Sequence, residues 1–96
     1  MKAYRFRFTP EAGRLISHLH PENKKQIKKA LAQIQENPYL GDDLQEELNG
    51  FKSFKQKRYR IIYQVHDVNK TVDVYYVGHR RDVYDEFRRL LKQMSP

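Results

Sequence analysis

The residues most suited to chemistry lie in one short segment, residues 77–84, which reads Val-Gly-His-Arg-Arg-Asp-Val-Tyr. A histidine titrates near neutral pH, and an arginine carries a permanent charge whose planar fork matches phosphate oxygens. The segment supplies both types together with a phenol: His79, Arg80, Arg81 and Tyr84. These side chains fit acid–base chemistry at a phosphate group. A surface histidine and a core tyrosine would give the same local pattern.

RNA is the phosphodiester that these side chains could cleave most simply, because its own 2′-hydroxyl is the nucleophile and the protein need not supply one. The protein has to position that hydroxyl, remove its proton, stabilise the charge on phosphorus and protonate the leaving 5′-oxygen. Motifs for metal binding are missing from the sequence: there is no cysteine, and His18 and His20 would point to different faces of a helix. We therefore expect neither a metal nor a cofactor.

A second basic segment lies earlier in the chain. No acidic residue occurs between Glu47 and Asp67, and five cations alternate there with aromatic residues. The cations are Lys52, Lys55, Lys57, Arg58 and Arg60, and the rings are Phe51, Phe54, Tyr59 and Tyr63. Cations neutralise phosphates and flat rings stack on unpaired bases, so the pattern is typical of single-stranded nucleic-acid binding. A hairpin with core aromatic residues and solvated lysines would produce it equally well.

Composition restricts the class of protein further. The chain has 96 residues, 39% of them hydrophobic, and a net charge of +7. Residues 51–96 hold 11 basic and 5 acidic side chains, against 8 and 7 in residues 1–50. No apolar stretch approaches the roughly 20 residues that cross a bilayer, and the first residues lack the apolar block of a secretory signal. We expect one domain over residues 1–96, without membrane contact and in the cytoplasm.

The hydrophobic pattern of the first half predicts a strand and two helices. Alternation of Tyr4, Phe6 and Phe8 indicates the strand, and Thr9-Pro10 is typical of an N-cap followed by the first helical residue. The first helix is predicted over residues 10–19 and the second from His20-Pro21 to Asn37-Pro38. An acidic connection then covers residues 39–49, with a turn of helix at about 44–48.

After Gly50 the hydrophobic period changes to that of strands. Strands are predicted over residues 51–55 and 59–66 around a turn at 56–58, with Tyr59, Ile61, Tyr63 and Val65 on one face. A third strand follows the turn at 67–70 and ends at Gly78, and a final amphipathic helix begins at Asp82. The predicted order is β-α-α-β-β-β-α, an α+β domain with one sheet and the helices packed on one face of it.

Two segments together resemble a known family. Residues 50–54 leading into the strand Arg-Tyr-Arg-Ile-Ile-Tyr-Gln-Val at 58–65, followed by residues 77–84, are similar to the RelE branch of the RelE/ParE toxin superfamily. The resemblance spans the whole chain and implies a RelE-like fold. It also implies the toxin of a type II toxin–antitoxin system. Such a toxin is a metal-independent endoribonuclease that cleaves mRNA in the ribosomal A site and inhibits translation.

The resemblance carries roles to particular residues. Arg60, Arg80 and Tyr84 match the family's catalytic arginines and tyrosine, although two residues fewer than in some members separate Arg80 from Tyr84. The hairpin is shorter than in some members, so Lys52, Lys55 and Lys57 compete for the basic positions of the preceding strand, and we take Lys52 and Lys55 as the candidates. His79 stands where some relatives have lysine. We expect the arginines to hold the scissile phosphate, Tyr84 to stack on or activate the nucleotide, and a lysine or His79 to supply the proton. The flanking cations are expected to bind RNA: Lys57, Arg58 and Arg81.

Partners follow from the charge as well as from the family. A basic face on a chain that is toxic when free invites an acidic, partly disordered antitoxin that folds on binding. The ribosome and mRNA are the other expected partners. Two alternatives stay open at this point: a toxin of the ParE branch, which shares the fold but inhibits DNA gyrase, and a non-catalytic RNA-binding module.

Overall fold

The computed structural model describes residues 4–94. Its three helices are α1 (Pro10–Ser17), α2 (Pro21–Glu36) and α3 (Val83–Met94), and short 3-10 turns cover Pro38–Leu40 and Glu46–Leu48. The strands are β1 (Arg5–Phe8), β2 (Asp42–Asp43), β3 (Lys52–Gln56), β4 (Tyr59–His66) and β5 (Thr71–His79). The predicted order is confirmed, and β2 is an addition to it. No helix within the described range has the length and apolar character needed to span a membrane.

The five strands form one mixed sheet in the order β1-β5-β4-β3-β2. β1 runs parallel to β5, and the other neighbours are antiparallel. β4 and β5 therefore lie at the centre, and β3 connects them to the two-residue edge strand β2. That edge strand was not predicted, because two adjacent aspartates give no alternating hydrophobic signal.

The sheet lies between two helical layers, so the prediction that all helices pack on one face was wrong. Ile61 packs in a core with residues of α1 and α2, whereas its neighbour Ile62 packs in a second core with Val83 and Phe87 of α3. Successive residues of a strand point to opposite faces. One face of the sheet, here called the hairpin face, is thus covered by α1 and α2, and the other, the α3 face, by α3.

The predicted grouping of Tyr59, Ile61, Tyr63 and Val65 is confirmed, since all four belong to or pack against the core of the hairpin face. An irregularity in β5 preserves this grouping. Ile62 is paired with Tyr76 but Tyr63 with Val74, so β5 holds one extra residue, Tyr75, at a β-bulge.

Thr9 fixes the start of α1 against that bulge. Its hydroxyl accepts a hydrogen bond from the Ala12 backbone N–H (3.1 Å), which makes it the N-cap that the sequence predicted. The same hydroxyl donates to the Tyr75 carbonyl oxygen (3.2 Å), and the Thr9 N–H donates to the Val74 carbonyl (3.1 Å). One side chain therefore joins the helix to the central strand.

Tyr63 provides a test of the hairpin-face core. It is fully buried, and its hydroxyl donates to the Pro38 carbonyl (2.7 Å) and accepts from the Gly41 N–H (3.0 Å). Tyr63→Phe leaves both backbone groups without a partner, and we expect the free energy of unfolding to fall by about 1–3 kcal/mol in urea denaturation. Tyr75→Phe is the control, because its hydroxyl has no partner within residues 4–94. Equal stability of the two variants would contradict this account.

Tyr76 makes the stability of the α3-face core sensitive to alkaline pH. Burial, with the nearby Glu86 carboxylate, raises the pKa of Tyr76 to about 12. In the unfolded chain the tyrosine hydroxyl titrates near pH 10, so this stabilisation is complete below about pH 10 and is lost as the pH rises toward 12. We expect the urea midpoint of the wild type to fall more steeply above pH 10 than that of Tyr76→Phe. Parallel pH profiles would show that the hydroxyl does not matter.

Candidate active site

Arg60 lies near the start of β4 on the α3 face. Arg60 and Ile62 are two residues apart on the strand, so their side chains share a face. On β5 Arg60 is paired with Gly78, which has no side chain to cover the Arg60 side chain. The Arg60 Nη1 donates to the carbonyl oxygens of Lys57 (3.0 Å) and Tyr59 (2.8 Å). The guanidinium is therefore held over the β3–β4 turn, at the open end of the sheet.

A second cation stands directly beside it. Lys55 of β3 pairs with Arg60, so both side chains project from the α3 face as cross-strand neighbours, roughly 5 Å apart at their Cβ atoms. Like charges in that arrangement repel each other. An anion bound between the two side chains would offset that repulsion.

Arg80 adds a third cation at the same end. Its backbone N–H donates to the Arg58 carbonyl oxygen (2.6 Å), so the β4–β5 ladder continues one step past β5. Arg80 is exposed and lies in the turn that follows β5, which is closed by the Asp82 N–H donating to the His79 carbonyl (3.0 Å). It therefore stands at the same end of the sheet as Arg60.

Tyr84 completes the group from the first turn of α3. Its hydroxyl lies 2.9 Å from the hydroxyl oxygen of the buried Ser53, which sits on β3 two residues before Lys55 and pairs with Ile62. The helix comes this close to the sheet because Gly78 has no side chain: a Cβ there would lie 3.1 Å from Val83 Cγ2. Sequence reasoning missed Ser53, although its period-2 spacing from Lys55 would have placed it on the same face.

The charges of this group are uncompensated. Over residues 4–94, Lys55, Arg60 and Arg80 make no ion pair. Other cations of the chain do: Arg7 pairs with Asp73 and Arg88 with Glu47 and Asp85. We call Lys55, Arg60, Arg80 and Tyr84 the α3-face cluster: a phenol and three cations without ion-pair partners at the end of the sheet where α3 begins.

Lys52 does not join the cluster. Lys52 lies two residues before Phe54 on β3, and Phe54 packs against the core of the hairpin face. The Lys52 side chain therefore projects from the side of the sheet opposite Lys55. Its Nζ is engaged there by Asp43 (2.7 Å) and lies 5.6 Å from the centre of the Tyr39 ring. The expectation that Lys52 acts beside Arg60 is therefore corrected, because three residues along a strand reverse the face.

His79 is also on the hairpin face. It pairs with Tyr59, and the two rings lie 6.1 Å apart in an edge-on contact. The Nδ1 of His79 accepts a hydrogen bond from the Arg81 N–H (3.2 Å). The histidine expected to supply a proton to the site thus lies across the sheet from Tyr84.

The remaining predicted RNA-binding residues form the rim between the two faces. Lys57 and Arg58 make the β3–β4 turn, where Lys57 adopts a left-handed conformation with φ of 54°, and Arg81 follows Arg80. All three are exposed. None of them forms an ion pair within the described part of the chain, so the positive potential extends around the end of the sheet. No group of three or more His, Asp or Glu side chains in that part is arranged to hold a metal ion.

Comparison with known proteins identifies the family. A family model described as "ParE toxin of type II toxin-antitoxin system, parDE" matches residues 6–84. Toxin RelG of Mycobacterium tuberculosis is 32% identical over 83 residues, which are 84% of this chain and 95% of that protein. The chain belongs to the RelE branch of the RelE/ParE superfamily of type II toxins.

Solved structures of RelE toxins share the fold. A RelBE2 toxin–antitoxin complex of M. tuberculosis contains a chain with a TM-score of 0.76 and 31% identity, covering 82% of this chain and 100% of its own. The isolated RelE toxin of E. coli gives a TM-score of 0.70 and 28% identity, covering 93% and 99%. The RelE-like fold predicted from the sequence is thereby confirmed.

The contact between Ser53 and Tyr84 predicts a coupled pair in this RelE-like toxin. Ser53→Ala and Tyr84→Phe each remove the same hydrogen bond, so each should lower the free energy of unfolding by about 0.5–1.5 kcal/mol. The double variant should lose less than the sum of the two single losses, because the bond is lost only once. Urea denaturation of all four proteins measures this coupling. Strict additivity would mean that the two hydroxyls do not interact.

Proposed function

We propose that this type II toxin is an endoribonuclease that cleaves mRNA in the ribosomal A site and so inhibits translation. The observation that carries the proposal is the α3-face cluster, in which three unpaired cations and a phenol lie at one end of the sheet. A phosphodiester supplies the negative charge that the cluster lacks. The neighbouring 2′-hydroxyl of RNA supplies the nucleophile.

The cluster suggests a role for each side chain. Arg60, fixed by two backbone carbonyls, and Arg80 bind the scissile phosphate and stabilise the added charge of the transition state. Tyr84, acting as a phenolate to which the Ser53 hydroxyl donates, accepts the proton of the 2′-hydroxyl, and the Lys55 ammonium protonates the 5′-oxygen. The bond from O2′ to phosphorus forms as the bond to O5′ breaks. The products are a 2′,3′-cyclic phosphate and a 5′-hydroxyl.

The open geometry supports a role for the ribosome. Lys55 and Arg80 are exposed, so the cluster is a surface and not a closed cleft. A surface of this kind orients a flexible strand poorly on its own. We propose that the A site holds the message in position while the toxin contributes charge and proton transfer.

An acidic antitoxin is the second proposed partner. The RelBE2 structure and the intact E. coli RelBE structure are complexes of toxin with antitoxin. The net charge of +7, with unpaired cations on the α3 face and the rim, favours an acidic partner here as well. Both proposed partners imply a cytoplasmic protein, because mRNA is translated in the cytoplasm.

Substitution of the arginines tests the assignment. Arg60→Ala and Arg80→Ala each remove a charge-stabilising donor, so cleavage should fall roughly 10²–10³-fold and growth arrest should be lost. Arg5→Ala is the matched control: it removes the same exposed charge from β1 and lies opposite Thr71, about 20 Å along β5 from Gly78. Protein levels are compared by immunoblot. Full toxicity of Arg60→Ala at wild-type abundance would end the proposal.

A ParE-like activity against DNA gyrase is the second candidate, because the matching family model carries the ParE description. Mapping of transcript 5′ ends after a pulse of expression separates the two. The ribonuclease predicts cuts in phase with codons that vanish in Arg80→Ala. A DNA-damage response without new 5′ ends would favour the gyrase inhibitor, and binding of RNA without toxicity would leave a non-catalytic RNA-binding module.

A further inference from the structure

A polar cavity lies on the hairpin face, across the sheet from the α3-face cluster. Its volume is about 240 Å³, and it is formed by the start of α2, the β3–β4 turn and the end of β5. Three amides, two rings and two cations line it, with one carboxylate at the rim. We call it the amide pocket; its residues are Asn23, Gln26, Gln56, Tyr59, His79, Lys57, Arg58 and Glu22.

The amides of this pocket are fixed and still have hydrogen-bonding groups to offer. Asn23 Nδ2 donates to the Tyr59 hydroxyl (3.2 Å), and Gln56 Nε2 donates to Gln26 Oε1 (2.9 Å). The remaining atoms of that amide pair, the Nε2 of Gln26 and the Oε1 of Gln56, make no hydrogen bond within residues 4–94. The pocket therefore presents a donor and an acceptor side by side, which is the pattern of a nucleobase edge.

The rings supply an apolar surface beside those amides. Tyr59 and His79 are half-buried and held in edge-on contact. Aromatic rings next to hydrogen-bonding groups are the usual means of holding an unpaired base, while cations at the rim contact its phosphate. Lys57 and Arg58 are those cations, and both are exposed. Glu22 also lines the pocket and carries the opposite charge to Lys57 and Arg58, so the pocket has both a positive and a negative side.

The pocket and the α3-face cluster share the β3–β4 turn. Arg60 of the cluster donates to the Lys57 carbonyl, and Arg80 donates to the Arg58 carbonyl. An RNA strand that lays its phosphate on Arg60 and Arg80 can pass over this turn, contact Lys57 and Arg58, and reach the opposite face. The same turn thus connects a site for the phosphate with a site for a base.

We infer that the amide pocket binds one unpaired nucleotide that flanks the scissile phosphate and so sets a base preference at a fixed distance from the cut. The inference rests on the proposed ribonuclease function. His79, which the sequence analysis placed with the catalytic residues, is on this account a base-contacting residue. Gln26 and Gln56 read the edge of the base.

Binding is tested apart from cleavage. The Tyr84→Phe variant, which is altered only on the α3 face, is titrated with a hexanucleotide whose 2′-hydroxyls are replaced by hydrogen. The side-chain amide signals of Asn23, Gln26 and Gln56 are followed by NMR. These signals should shift together with those of the His79 ring. Gln26→Ala should weaken binding about threefold to tenfold, the effect of one or two hydrogen bonds.

Gln33→Ala is the matched control, because it removes the same side chain from α2 two turns further on, where it is exposed and outside the pocket. If Gln26→Ala disturbs folding, Gln26→Glu keeps the size of the side chain and removes its donor. Unchanged amide signals, or equal affinities of the Gln26 and Gln33 variants, would overturn the inference. So would shifts caused by an antitoxin peptide but not by the oligonucleotide.

Cleavage maps give the second readout. In an otherwise wild-type chain, Gln26→Ala should still cut RNA but lose the base preference at one position beside the cut, whereas Gln33→Ala should keep it. An unaltered preference counts against the pocket. Failure of the wild type to cut RNA, with the amide shifts present, would instead refute the proposed ribonuclease and leave the pocket as an RNA-binding site.

Discussion

The candidate site depends on one constraint, the register of β4 between β3 and β5. Because β4 is paired on both sides, a slip of one residue would turn every side chain to the other face. Ile61 and Tyr63 are buried in the core of the hairpin face and Ile62 in that of the α3 face, so both cores oppose such a slip. The packing that stabilises the sheet therefore also fixes Arg60 on the side of Tyr84.

Charge is distributed along the sheet in a way that folding does not require. At one end Asp73 is bonded by both Arg7 and His66, so the charge of Arg7 is neutralised there. At the other end Lys55, Arg60 and Arg80 form no ion pair within residues 4–94. Exposed like charges are screened by salt and cost the fold little. In the proposed function these charges bind the phosphates of RNA.

Local patterns were sufficient to predict the three helices and the four longer strands, but not the faces of the sheet on which the helices pack. Thr9, Asn37-Pro38 and the alternation of β4 marked their boundaries, because caps, proline and period 2 act over a few residues. The position of α3 could not be predicted, since Ile61 and Ile62 make both faces of β4 apolar. His79 shares a segment with Arg80 and yet faces away from it. Ser53 carries no motif, and its role is visible only through its contact with Tyr84.

The chemistry of the cut RNA ends tests the central claim most directly. Purified toxin is incubated with ribosomes programmed with a defined message, and the new ends are identified by enzymatic labelling. Attack by the 2′-hydroxyl predicts 5′-hydroxyl and 2′,3′-cyclic phosphate ends, and no cut where the nucleotide before the scissile phosphate is 2′-deoxy. Ends with 5′-phosphate and 3′-hydroxyl, or cleavage at the deoxy position, would contradict the account.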